Sequence, residues 1–119
     1  MPAFDRIVRI SEEVRRELDH IIREDVRDPR VQGTYSITHA DVTRDLRYCK
    51  VWISVLEEEY RAPMIKALEN AKGYIRRELG RRVQLRYVPE LLFEADANME
   101  YAAKIDTMLK KLEKEHEEN

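Results

Sequence analysis

One run of helical periodicity in the second half of the chain does most to limit the possible folds. The apolar residues Leu68, Ala71, Ile75 and Leu79 recur every three or four positions, and Gly73 does not interrupt their phase. At about 100° per residue, these four side chains share one face of a helix. The spacing therefore predicts one amphipathic helical element that buries one face and bends at Gly73.

The remaining periodicities predict an ordered series of helices and strands. In chain order we expect a helix, two strands, the bent helical element, a third strand and a last helix, at about residues 4–26, 34–43, 47–56, 60–79, 84–94 and from 98 onward. Because only three residues separate the first two strands, these strands should pair as an antiparallel hairpin. A single sheet with helices on one face predicts a two-layer α+β domain.

Proline and glycine indicate where these elements should end. Asp28-Pro29-Arg30 should stop the first helix, because proline disfavours helical geometry at the residue before it. Gly80 is expected to cap the C-terminus of the bent element. Pro89 has no backbone N–H to donate, so its position inside the third strand indicates a sheet edge or a bulge.

Composition favours a small intracellular domain. A chain of 119 residues is expected to form one domain with a core large enough to need no disulfide or metal. Its one cysteine, Cys49, cannot form an internal disulfide, which favours a reducing compartment. The apolar runs are too short for a membrane span, and the N-terminus lacks the apolar core of a signal peptide. We expect a cytoplasmic monomer.

Motifs for catalysis and metal binding are missing from the sequence. The three histidines, His20, His39 and His116, have no metal-ligand spacing with each other or with Cys49. Cys49 alternates with core residues, so it should be a small buried hydrophobe and not a nucleophile. The chain also lacks a phosphate-binding glycine loop and a nucleophile elbow. We therefore expect no metal, no cofactor and no enzymatic activity.

Charge is sorted along the chain although the net charge is only −2. Six basic residues and one acidic residue lie between Lys72 and Arg86, whereas residues 113–119 carry four glutamates and one lysine. Sorted charge creates a local field. The basic group consists of Lys72, Arg76, Arg77, Arg81, Arg82 and Arg86. These side chains either solubilise the helix and pair with acids such as Glu69 and Glu78, or they bind phosphate.

The position of Gly73 favours phosphate binding. A helical glycine costs about 0.8–1 kcal/mol relative to alanine, so Gly73 needs an explanation. It falls on the same face as Arg76 and Arg77, opposite the apolar stripe. Two explanations stay open, a required bend and a required close approach of a ligand to the backbone, and both can hold together.

A second surface is predicted on the sheet. Tyr48, Lys50 and Trp52 share the face of the second strand that points away from its aliphatic residues. Ordinary packing under the last helix is the favoured interpretation of this face. The alternative is a stacking surface for unpaired bases.

Several motifs together resemble a known family. The element order resembles the type II KH topology, a single RNA-binding domain in which two helices meet at a Gly-x-x-Gly loop, but here Ala71-Lys72-Gly73 forms an Ala-x-Gly bend instead. This replacement resembles the ribosome-binding factor A family. The matching pieces are Arg6, Arg9, Asp28-Pro29-Arg30, Asp45-Leu46, Ala71-Lys72-Gly73, Ile75-Arg76 and residues 85–96.

The resemblance implies a bacterial assembly factor that binds the free 30S small ribosomal subunit and its 16S rRNA. Such factors support late maturation and 5′-end processing of the rRNA, and they are linked to growth in the cold. The resemblance leaves open whether a ribosome-assembly GTPase cooperates with the protein. We expect residues 1–112 to form the KH-like ribosome-binding domain and residues 113–119 to be a frayed acidic tail.

Two hypotheses about function follow. In the first, RNA binds the bent element through Gly73 and the six basic residues, and Arg6 and Arg9 extend this surface. In the second, the chain is a protein-interaction module that uses the acidic tail and the Trp52 face, with only incidental RNA contact.

Overall fold

The computed structural model describes residues 3–96 and 108–114. Residues 3–96 form three helices and three strands in the order α1 (Ala3–Glu24), β1 (Tyr35–Val42), β2 (Tyr48–Val55), α2 (Glu58–Asn70), α3 (Lys72–Arg82) and β3 (Glu90–Ala95). Residues 108–114 are also helical. This order confirms the mixed α+β architecture and the predicted succession of elements.

The three strands form one sheet in the order β1-β2-β3. β1 and β2 are antiparallel, which confirms the hairpin, whereas β2 and β3 are parallel. Parallel pairing follows from the helical connection through α2 and α3. The predicted bounds of β1 and β2 are accurate to one residue at each end. Cys49, Val51, Ile53 and Val55 are all buried on one face of β2, as their alternation predicted.

Helix α1 covers β1 and runs antiparallel to it. Its buried stripe contains Val14, Leu18, Ile21 and Ile22. Near one end the Val42 N–H donates to the Ser11 Oγ at 3.0 Å, and near the other Arg23 donates to the Tyr35 carbonyl at 3.0 Å. The residues before Ser11 therefore point toward the hairpin end of the sheet. The helix ends at Glu24, two residues earlier than predicted.

The bend in the second helical element lies at Ala71, the first residue of the predicted Ala-x-Gly bend, and not at Gly73. Ala71 has φ −90° and ψ 3°, while Gly73 is the second residue of α3. Backbone hydrogen bonds continue through the bend, because the Ala71 N–H reaches the Ala67 carbonyl and the Ile75 N–H reaches the Ala71 carbonyl. Leu68, Ile75 and Leu79 stay fully buried on one face, as the periodicity predicted.

The end of α3 and the start of β3 both differ from expectation. Gly80 does not cap the helix, which continues to Arg82 and ends at the extended residue Val83. β3 begins at Glu90, so residues 84–89 form an irregular segment and Pro89 precedes the strand. Since the Glu90 N–H donates to the Arg47 carbonyl at 2.8 Å, pairing with β2 starts only after the proline.

Predictions for the last helix fall partly outside the described residues. Asn98, its predicted N-cap, and the tail beyond residue 114 both lie there. Within the described part, Met108, Leu109 and Leu112 are all exposed. No described helix is long and apolar enough to cross a membrane.

Candidate nucleic-acid interface

Helix α3 has one buried face and one exposed, positively charged face. Ile75 and Leu79 face the core, Arg76 and Arg77 between them are exposed, and Glu78 is half-buried. We define the arginine surface as the exposed side chains of Arg76, Arg77, Arg81 and Arg86. The structure thus brings together four of the six basic residues predicted between Lys72 and Arg86.

Arg77 and Arg81 are the cations best placed to meet a ligand. Both are exposed on α3 and lie one helical turn apart. Arg77 makes no ion pair with any described residue, and Arg81 makes only a 3.5 Å contact with the Glu78 carboxylate, with 79% of its own side chain exposed. A contact of this kind contributes little to stability, so these cations are available to phosphate.

Arg76 has a positioning role as well as a charge. One of its guanidinium nitrogens, Nη2, donates to the Val88 carbonyl at 2.9 Å. This bond ties α3 to the irregular segment that carries Arg86 and Tyr87. The arginine surface is therefore held together across two pieces of chain, because Arg86 depends on this segment for its place.

Arg82 is engaged differently from its neighbours. Its guanidinium lies 2.8 Å from the Asp25 carboxylate and 3.7 Å from the carboxylates of Glu17 and Glu78. Only 27% of the side chain is exposed. These ion pairs join the C-terminal end of α3 to α1, so they favour a structural role for Arg82 over the predicted RNA contact.

The other predicted basic residues lie at the margins. Lys72 is held 2.7 Å from the Glu69 carboxylate, with 25% of its side chain exposed. Arg6 and Arg9 are exposed on the first turns of α1, at the hairpin end of the sheet. They belong to a different element from the arginine surface.

The two helical glycines have different surroundings. A Cβ atom on Gly73 would meet no other atom within 4 Å, so packing does not require a glycine there. A Cβ atom on Gly80 would lie 2.9 Å from Val88 Cγ2, so Gly80 permits the close approach of the irregular segment. Gly73 is exposed two residues after the bend at Ala71, so it leaves the open backbone that close approach of a ligand would need.

Tyr87 is a candidate that sequence reasoning missed. The residue is 58% exposed, and the Arg86 guanidinium lies 5.5 Å from its ring centre. It lines a groove of about 580 Å³, which we call the Tyr87 groove, together with Gly73, Arg76, Arg77, Gly80, Arg86 and Val88. A predicted strand over residues 84–94 concealed this residue, although an aromatic next to an arginine was a signal available in the sequence.

The predicted sheet surface is also present. Trp52 is half-buried, with the Lys50 ammonium 5.3 Å from its ring and the His39 ring 5.3 Å away. Lys50 also lies 3.4 Å from the Glu94 carboxylate. The described residues 108–114 are exposed and do not cover this face. Trp52 already has neighbours on its own sheet, which makes it a less open platform than Tyr87.

The described part of the chain offers neither a reactive thiol nor a group of metal ligands. Burial raises the pKa of the Cys49 thiol to about 12, which keeps it protonated and unreactive. Cys49 is fully buried, which confirms its predicted place in the core. Among the described residues, no group of His, Cys, Asp or Glu side chains could hold a metal ion.

Taken together, the fold and this site define a small two-layer α+β domain with an exposed arginine surface on a bent helix pair. The profile of the family described as ribosome-binding factor A matches residues 6–109. The chain is 50% identical to the ribosome-binding factor A of Acetivibrio thermocellus over 107 residues, which cover 89% of this chain and 87% of that protein. The chain therefore belongs to the ribosome-binding factor A family.

Solved structures agree with the fold. The crystal structure of ribosome-binding factor A from Thermus thermophilus superposes with a TM-score of 0.67 at 24% identity, covering 75% of this chain and 94% of that one. A Thermus thermophilus homology model fitted into a cryo-EM map of a 30S–RbfA complex superposes with a TM-score of 0.60 at 24% identity, covering 71% and 88%. At this level of identity the likeness supports the fold alone.

Proposed function

We propose that this protein binds the free 30S ribosomal subunit by placing its arginine surface against the phosphate backbone of 16S rRNA. The observation that carries the proposal is the pair of available cations Arg77 and Arg81 beside the bare backbone at Gly73. Membership of a family named for ribosome binding, and the placement of a Thermus thermophilus relative in a 30S complex, both support it.

In this mechanism charge supplies the attraction to RNA, and the shape of the subunit supplies the selectivity. Guanidinium groups pair strongly with phosphate oxygens, and the absence of a side chain at Gly73 lets the RNA backbone come near α3. Phosphate contacts position a protein without reading sequence, so selectivity must come from the shape of the assembling subunit. A net charge of −2 works against tight binding to arbitrary RNA.

We also propose the finer parts of the function implied by the family. The protein acts on the subunit late in its assembly, supports 5′-end processing of 16S rRNA and leaves before translation. The element order α-β-β-α-α-β supports a type II KH-like domain in which the Ala71 bend replaces the Gly-x-x-Gly loop. In this assignment the arginine surface beside the Ala71 bend takes over the phosphate contacts that a Gly-x-x-Gly loop makes.

Binding to separated ribosomal particles tests the proposal. The full chain is incubated with 30S subunits, 50S subunits and 70S ribosomes at two salt concentrations and then sedimented. Association with free 30S subunits alone, weaker at the higher salt, is the expected result. Equal association with 50S subunits would show that the protein does not select the small subunit. Binding that does not weaken at higher salt would show that phosphate contacts by the arginine surface contribute little to it.

A further inference from the structure

We propose that the Tyr87 groove binds one unpaired RNA base, which stacks on the Tyr87 ring while Arg77 and Arg86 hold the adjoining phosphates. This inference rests on the proposed RNA-binding function and adds a ligand of defined chemistry, a single-stranded nucleotide. The groove includes the available Arg77 and has a volume of about 580 Å³, within the range of pockets that take small planar ligands.

Exposure is the first argument for a ligand at Tyr87. At 58% exposed, Tyr87 is more open than any other tyrosine, phenylalanine or tryptophan whose surroundings the structure describes. Its hydroxyl makes no hydrogen bond with a described residue, so neither burial nor bonding accounts for the ring. Tyrosine that is neither buried nor bonded is typical of binding surfaces, where its apolar body and polar tip are both used.

The surroundings of the ring favour a flat, anionic ligand. Arg86 lies over the ring at 5.5 Å, and a guanidinium can stack on a base as well as on tyrosine. Gly73, Gly80 and Val88 also line the groove and add little polar bulk to it. A nucleotide matches this arrangement, because its base is flat and uncharged and its phosphate is anionic.

Arg77 extends the site toward a second aromatic residue. It lines the Tyr87 groove and also a neighbouring groove of about 380 Å³ with Tyr74, Glu78 and Arg81. Tyr74 is 39% exposed. A phosphate at Arg77 would therefore lie between two stacking platforms, which is the alternation of charge and aromatic rings that single-strand binding proteins use.

This arrangement discriminates against a duplex. In an A-form helix the bases are paired and stacked inside, so a single aromatic ring on a protein surface cannot reach their faces. An unpaired base can leave its neighbours and stack on Tyr87. We expect little preference among the four bases, since each has a flat face.

The test compares a short unstructured RNA with a duplex of the same strand and its complement. Fluorescence anisotropy measures the affinity of the full chain for both. Tyr87→Leu should weaken binding to the single strand about 5- to 140-fold, the range that loss of one base-stacking contact produces. Tyr87→Phe keeps the ring and should bind nearly as wild type, and neither change should alter duplex binding.

The outcomes separate this inference from the proposed function. Unchanged single-strand binding by Tyr87→Leu overturns it, as does a wild-type protein that prefers the duplex. Thermal unfolding of the variants confirms folding, which the exposed position of Tyr87 favours. The double variant Arg77→Glu, Arg81→Glu reports on the proposed function independently: its failure to weaken binding to 30S subunits would refute that function, whatever Tyr87→Leu does.

Discussion

At the scale of single residues, Gly73 is the most informative position. It lies within α3, and a Cβ atom there would meet only solvent. We predict that Gly73→Ala raises the free energy of unfolding by about 0.8–1 kcal/mol, the helix-propensity difference, and weakens binding to 30S subunits by adding a methyl group where RNA approaches. Urea unfolding and subunit sedimentation measure the two effects.

Gly33 provides the matched control for this substitution. It has φ +91°, and a Cβ atom would lie 2.6 Å from Glu57 Oε2 and 2.7 Å from Tyr60 Cδ2. Gly33→Ala should therefore lower the free energy of unfolding by more than about 1 kcal/mol. A stabilised Gly73→Ala protein with unchanged subunit affinity would remove Gly73 from the binding surface.

Asp28 links the end of α1 to the pH dependence of stability. Hydrogen bonds from the Arg30 guanidinium and the Arg30 N–H lower the pKa of its carboxyl from 3.8 to about 2. A lowered folded-state pKa means that this carboxylate stabilises the fold above pH 3.8 and loses that effect as the pH falls toward 2.

We predict that Asp28→Asn is less stable than wild type near neutral pH and that the difference shrinks as the pH falls through this range. The amide cannot carry the charge that pairs with Arg30, so the variant has no carboxylate to protonate there. Urea unfolding at a series of pH values measures the gap. A gap that stays constant down to about pH 2 would contradict the role of the Asp28–Arg30 pair.

At the scale of elements, Arg82 connects α3 to α1. Its guanidinium faces the carboxylates of Asp25, Glu17 and Glu78, which would repel one another without it. We predict that Arg82→Met, which keeps most of the aliphatic stem, lowers the free energy of unfolding by about 1–2 kcal/mol. Subunit affinity should change little, because this guanidinium is not available to phosphate.

Arg77→Met on the same helix is the control for this prediction. Arg77 is exposed and without an ion pair among the described residues, so its loss should change stability by no more than about 0.5 kcal/mol while weakening subunit binding. Urea unfolding and sedimentation of the two variants separate the roles. An Arg82→Met protein that is fully stable but fails to bind would reverse this assignment.

Local patterns predicted most of the elements and the β1–β2 hairpin but not where β3 begins. The alternation of Cys49, Val51, Ile53 and Val55 predicted β2 correctly, because one face of this strand is buried and side chains in a strand alternate every two residues. The start of β3 could not be predicted from the sequence, because apolar residues continue through residues 84–89 although strand pairing begins only at Glu90. Hydrogen bonding to a neighbouring strand decides this boundary, and sequence spacing does not show it.

The site shows the same limit. Arg77 and Arg82 are equivalent as letters in a basic segment, but Asp25, the partner of Arg82, lies 57 residues away on the chain, just after α1. The bend was expected over Ala71-Lys72-Gly73, and the spacing did not show that Ala71 alone adopts the bent conformation while Gly73 stays helical. Tyr87 was concealed because its exposure depends on the contact of the irregular segment with α3.

At the scale of the whole molecule, sorted charge should control the response to salt. The net charge is −2, but Arg77 and Arg81 present local positive charge on one face. The slope of log affinity against log salt concentration is negative. If each guanidinium neutralises one phosphate, a variant without both arginines should show a slope smaller in magnitude by about 2. Titrations of 30S binding over a range of salt concentrations measure this slope for the wild-type protein and the variant. Equal slopes would show that these side chains contact no phosphate.

The central claim is that α3 presents the 30S-binding surface, and one comparison of charge-reversed variants tests it most directly. Arg77→Glu with Arg81→Glu changes the arginine surface, whereas Arg27→Glu with Lys66→Glu makes the same change in net charge at exposed positions on other parts of the chain. Both proteins are measured for affinity to free 30S subunits after their folding is verified. Loss of binding in the first protein alone is the predicted result, and equal affinity of the two proteins would contradict the account.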